Sequence, residues 1–122
     1  MSQTWILVGD GSHARLFGVD ALDPTWKLLR TVGREHSHER TGRADSHEDR
    51  GEHDFARRLA AELETARQAG TFQRLVLVAP PKFLGQVRGA LHASLAALVV
   101  KTVDHDYTHM SDKELSKHID LA

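Results

Sequence analysis

Three short stretches of this chain concentrate the side chains capable of chemistry. They are Asp10-Gly11-Ser12, Ala79-Pro80-Pro81-Lys82-Phe83 and Asp104-His105-Asp106-Tyr107-Thr108-His109. Asp10, Asp104 and Asp106 supply hard oxygen ligands that suit a divalent cation, and His105 or His109 would add a nitrogen. Carboxylates gathered at strand ends would support metal-dependent hydrolysis. The plainer assignment makes Asp10 part of an Asp-Gly turn and Asp104 and Asp106 loop caps, with the histidines in solvent. Nothing here has the specificity of a His-Glu-x-x-His spacing, so the plainer assignment is preferred.

Other chemistries are poorly served. The chain has no cysteine, which excludes thiolate zinc sites, cysteine nucleophiles and disulfides. Ser12 stands in a Gly-Ser-His context, not in a Gly-x-Ser-x-Gly elbow. Gly9-x-Gly11 lacks the third glycine of a dinucleotide fingerprint and runs into a strand. No phosphate-binding loop is present, and no cofactor is implied. Arg15, Arg74, Lys82 and Arg88 would make a modest basic edge beside Phe83, suited to RNA backbone contact with stacking. Against this, an aromatic at helical spacing is more often core, and the cations are then solvated surface.

The elements that must position these residues are legible. Residues 4–9 form a continuous apolar run that ends at the Asp-Gly turn, as a strand buried on both faces does. Residues 13–19 and 26–32 follow closely and predict an antiparallel meander. Residues 34–54 carry His36, His38, His47 and His53 among acids and arginines, with Ala44 as their one apolar side chain. Such a stretch predicts a mobile polar loop; imidazoles there would suit zinc, nickel or copper, without a fixed geometry.

From Asp54 the period becomes helical through Phe55, Leu59, Leu63 and Ala66, with Gly70 placed as a C′ glycine. Residues 74–79 predict a second buried strand, stopped by Pro80-Pro81. A helix with Phe83, Leu84, Val87 and Leu91 on one face follows, then a strand over 98–103. Ser111 and Glu114 have capping-box spacing, so a short helix opens there, with Leu115 and Ile119 on its apolar side.

The βββαβαβα order predicts an α/β fold with a mixed five-stranded sheet in one domain spanning residues 1–122. Right-handed crossovers in strand order 3-2-1-4-5 put the two long helices on one face. The opposite face would then have only the short last helix, which predicts a homodimer whose second copy helps to cover it. The three chemical stretches would meet at one edge, where ligands of open α/β sheets sit. The formal charge of −1 provides no general attraction to nucleic acid or anionic membrane. The first residues lack the basic and apolar regions of a secretory signal, and no apolar run reaches the ~20 residues of a membrane span. A cytoplasmic location is the expectation.

Thr4-Trp5-Ile6-Leu7-Val8 with Asp10-Gly11 and Ala14-Arg15-Leu16-Phe17 resembles the opening of the bacterial family called "protein required for attachment to host cells". The run from Leu75 to Gly85 resembles its central signature, and Val103-Asp104 with Asp106 and Thr108-His109 its last one. The resemblance implies a fold like the middle domain of eukaryotic and archaeal peptide-release factors and of Pelota, itself ribonuclease H-like in outline. It also implies a role linked to the ribosome or translation. The Gly-Gly-Gln tripeptide of release factors is missing: Gly42 and Gly51 are unpaired and neither precedes Gln. Peptidyl-tRNA hydrolysis is therefore not implied.

The leading expectation is a non-enzymatic binding module that uses an edge formed by Asp10, Arg15, Lys82, Phe83, Asp106 and His109. Its partner would be a ribosomal, RNA or protein surface. The alternative is a metal-dependent hydrolase using Asp10, Asp104 and Asp106.

Overall fold

The computed structural model describes residues 4–33 and 45–119. The chain begins with three strands, β1 (Thr4–Gly9), β2 (His13–Val19) and β3 (Lys27–Gly33). Next come α1 (Asp45–Gln68), β4 (Arg74–Val78), α2 (Pro81–Ala90), the short α3 (Ala93–Ala96), β5 (Val99–Val103) and α4 (Asp112–His118). The five strands form one mixed sheet in the order β3-β2-β1-β4-β5, the order in which right-handed crossovers put both long helices on one face. β1 pairs antiparallel with β2 and parallel with β4, with Leu7 opposite Leu77. Both apolar strands therefore end at the same rim.

Alternation along the central strands sends side chains into two cores. On one face, Leu7, Leu75 and Leu77 meet Phe55, Leu59 and Leu63 of α1 and Phe83, Leu84 and Val87 of α2. The Phe55 and Phe83 rings stack with centroids 5.8 Å apart and join the two helices. On the other face, Ile6, Val8, Phe17, Val76 and Val78 pack with Trp26, Leu115 and Ile119. Val103, Tyr107 and Met110, from β5 and the segment leading into α4, extend that cover.

The centre of the second face is thus covered from within the chain, where Ile6, Val8 and Phe17 are fully buried. The centre of this face therefore needs no second copy as a lid, while Leu28 of β3, paired with Phe17, stays 47% exposed at its margin. The last helix is as short as expected, but the irregular segment before it and Trp26 do much of the covering. An irregular segment has no period by which to announce this.

Helix α1 also departs from expectation. It starts at Asp45, nine residues ahead of the Asp54 start read from the apolar period, so His47 and His53 lie on a helix. Residues 34–44 of the expected His-rich loop lie outside the described residues. A helical extension without apolar side chains leaves no periodic trace, yet Asp, Glu and Arg are compatible with helix, and acids near an N-terminus are favoured by its dipole.

The far end of α1 is as expected. Gly70 has φ of 73°, Gly70 N donates to Arg67 O at 2.9 Å, and Thr71 N donates to Ala66 O at 3.0 Å. This is a Schellman ending, in which glycine avoids the Cβ penalty of left-handed backbone. Just before it, Glu64 accepts from Arg67 Nε at 3.0 Å and Nη2 at 2.8 Å, and from Gln68 at 2.9 Å.

The Arg67 guanidinium holds the Glu64 carboxyl at about 2, well below its ordinary 4.5. A depressed carboxyl contributes stability that is complete above about pH 4.5 and is lost as pH falls through about 2. In a carboxyl-carbon NMR titration Glu64 should still be ionised at pH 3.5, and Arg67→Gln should return it toward the ordinary range. A wild-type midpoint above pH 4 would show that the fork is not held in solution.

Candidate functional site

The C-terminal rim of β1 and β4 is built from turns that consume their own polar groups. After Gly9, Asp10 Oδ1 accepts from the N–H groups of Ser12 and His13, each at 2.8 Å, while Asp10 N donates to His13 O at 2.9 Å. The Glu52 side chain of α1 lies over this turn. A Cβ on Gly11 would stand 2.6–2.7 Å from Glu52 side-chain atoms, so any larger residue there would have to displace that side chain.

A second closed turn lies across the rim. Asp106 Oδ1 accepts from Thr108 Oγ1 at 2.6 Å and from Thr108 N at 3.1 Å. The same hydroxyl stands 3.4 Å from Asp10 Oδ2. A hydroxyl has one proton, and the shorter contact takes it. Thr108 therefore brings the two expected carboxylates to one place while leaving Asp106 as the strong acceptor.

Arg15 ties the rim together. It projects from β2 opposite Val8, and its guanidinium carbon lies 5.6 Å from the Phe17 ring centroid. Nη2 donates to Thr108 O at 3.0 Å and to Met110 O at 2.6 Å, and Nη1 pairs with Asp112 at 3.1 Å. Its side chain is only 20% exposed. Asp112 lies in the first turn of α4, behind a complete capping box. Ser111 Oγ accepts from Glu114 N at 3.2 Å, and Ser111 N donates to Glu114 Oε1 at 2.9 Å. That N–H, more than any other contact, holds the Glu114 carboxyl below its usual range.

The six expected edge residues thus separate into classes. Asp10, Arg15 and Asp106 converge, as inferred, through Thr108. Lys82, in the first turn of α2, and His109 present exposed side chains. Phe83 does not belong to the surface. It is 3% exposed and stacked on Phe55, because the residue two positions into a helix that starts at Pro81 falls on the buried stripe.

The geometry of the described residues does not favour the metal alternative. Among the described residues no group of three His, Asp or Glu side chains could hold an ion. Asp10 and Asp106 face the N–H donors of their own turns, and the Asp104 side chain is 68% exposed beside His105 at 3.9 Å. One cluster was missed. Tyr107 stacks on His105 with centroids 5.5 Å apart and meets His118 edge-on at 4.9 Å. His118 lies in the last turn of α4, and no local pattern announces its contact with Tyr107.

The profile of the family described as "Protein required for attachment to host cells" matches residues 27–119. Among solved structures, an archaeal translation termination factor, aRF1, is similar with a TM-score of 0.59 at 10% identity, over 94% of this chain and 37% of that one. Dom34 of S. cerevisiae, described as a translation termination-like factor involved in RNA quality control pathways and interacting with Hbs1, gives 0.55 at 10% identity, over 88% and 31%. A further structure, described only as an archaeal protein, gives 0.56 at 12% identity, over 87% and 30%. The chain therefore spans about a third of the length of these structures, and at such identity the likeness is one of fold. No curated protein matches the sequence.

Proposed function

The chain belongs to the family of proteins required for attachment to host cells, and from that premise we propose that it is a non-enzymatic module that binds ribosome-associated RNA in the bacterial cytoplasm. One observation carries the first half of this reading. The groups a hydrolase would need at the rim are spent on structure: Asp10 and Asp106 on turn N–H groups, and Arg15 on two carbonyls and Asp112. A rim whose charges are fixed in this way presents a defined surface to a partner. The RNA partner is supported by the fold shared with a termination factor and a termination-like factor.

On this reading Lys82 and His109 contact the partner, Asp106 borders them, Asp10 and Arg15 hold the rim in shape, and Phe83 supports Lys82 from below. The half-buried Tyr107 and the exposed His105 and His118 rings take over the stacking role expected of Phe83. No helix among the described residues is long and apolar enough to cross a membrane.

Cosedimentation with bacterial ribosomes over a salt series tests the proposal. Binding should weaken as salt rises, and Lys82→Ala combined with His109→Ala should flatten the log–log slope by about one. Absence of salt-sensitive association by the wild-type protein would overturn the RNA reading.

A further inference from the structure

We propose that the groove between α2 and the outer edge of β5 binds an extended acidic peptide, which adds to the sheet beside β5. β5 ends the strand order, so the side turned away from β4 has no strand partner among the described residues. A groove of about 700 Å³ runs along it, with Gly85, Arg88 and Gly89 of α2 on one wall and Val99 to Thr102 on the other. Val100 is 59% exposed there. A sheet edge with an uncovered apolar residue is a template for another strand.

The helix wall is unusually open. Glycine inside a helix costs about 1 kcal/mol relative to alanine. Neither Gly85 nor Gly89 has positive φ, and nothing lies within 4 Å of where their Cβ atoms would stand. Internal packing and backbone geometry therefore do not call for glycine at either place. The two are one helical turn apart, so they keep one wall low enough for a peptide backbone to enter.

Charge selects the occupant. Arg88 and Lys101 line the groove, and no carboxylate does. Residues 65–103 contain no Asp or Glu while carrying Arg67, Arg74, Lys82, Arg88 and Lys101, in a chain with 17 acids and 16 bases overall. Two β5 edges meeting each other would oppose like charges, which disfavours a second copy. No aromatic ring lines the groove, so nucleic-acid bases have nothing to stack on. None of the six residues of the rim lines this groove, so the inference stands apart from the RNA reading.

Fluorescence anisotropy with a labelled peptide of about eight residues alternating valine and glutamate tests this, against a valine–lysine counterpart and an oligouridylate. The acidic peptide should bind and the basic one should not. Arg88→Glu and Gly89→Leu should each weaken binding by about tenfold or more. Gly89→Ala should raise the melting temperature, and thermal unfolding shows that the other two variants are folded. Bound peptide should slow amide exchange on β5. Equal binding of both peptides, or unchanged binding by Arg88→Glu and Gly89→Leu, would overturn the proposal. So would Arg88-dependent capture of the oligouridylate alone, or a concentration-dependent dimer abolished by Gly89→Leu.

Discussion

Phe83→Ala is expected to lower the unfolding free energy by about 3–5 kcal/mol. The ring is 3% exposed and stacks on Phe55, so its removal opens a void where α1, α2 and the sheet meet. Two contributions add: the lost transfer of a large apolar side chain, and the lost contacts of the atoms left around the cavity. Urea unfolding should show a lower midpoint at unchanged slope, which marks a change in stability and not in compactness. Phe83→Leu refills part of the space and should recover most of the loss. The experiment separates core from surface, because an RNA-stacking Phe83 would lose affinity with little change in midpoint. A Phe83→Ala midpoint close to wild type would remove the packing account and reopen the surface one.

The same residue shows where sequence reading reached its limit. β1 and β2 have the bounds expected for them; for β1 an uninterrupted apolar run between turn residues has few alternative placements, and β2 is fixed by the tight turn that joins it to β1. Pro81 at the start of α2, the Gly70 ending of α1 and the Ser111–Glu114 capping box are local devices, and each sits where local chemistry put it. Phe83 was readable as a member of an apolar helical stripe. Its place next to strand-end residues made a binding role attractive all the same, and proximity in sequence carried no information about which way the ring points. The start of α1 was hidden because polar helix and polar loop have the same composition. Helix α3 was hidden because four residues complete hardly more than one turn. The rim itself was the harder inference, and it followed from topology: parallel β1 and β4 force Asp10 and the segment after Val78 to one edge. The roles of the side chains on that edge depend on partners that no local pattern encodes.

Arg15 is the clearest instance, and the expected effect of removing it is large. Its acceptors Thr108 and Met110 lie 93 and 95 residues away in sequence, so nothing around Arg15 announces them. Arg15→Ala should destabilise the protein by about 2–3 kcal/mol, because two partly buried carbonyls lose charge-assisted donors with no replacement of equal reach. For a chain of this size that corresponds to a fall in melting temperature of about 10 °C.

The ion pair with Asp112 is the minor part. The Asp112 side chain is 48% exposed, and exposed pairs contribute about 0–1 kcal/mol, so Asp112→Asn should be mild. Arg15→Lys keeps the charge but not the planar fork, and should rescue only part of the loss. Location distinguishes this account from general destabilisation. The 104–112 segment carries α4, whose Leu115 and Ile119 close the second face of the sheet. Arg15→Ala should therefore speed amide exchange at Leu115 and Ile119, whose N–H groups donate to Ser111 and Leu115 carbonyls at 2.9 Å, before exchange in α1 or β4 changes. If the melting temperature stays within about 2 °C of wild type, or exchange rises uniformly, then the guanidinium does not hold that segment. In that case the Val103, Tyr107 and Met110 contacts must suffice to close the face.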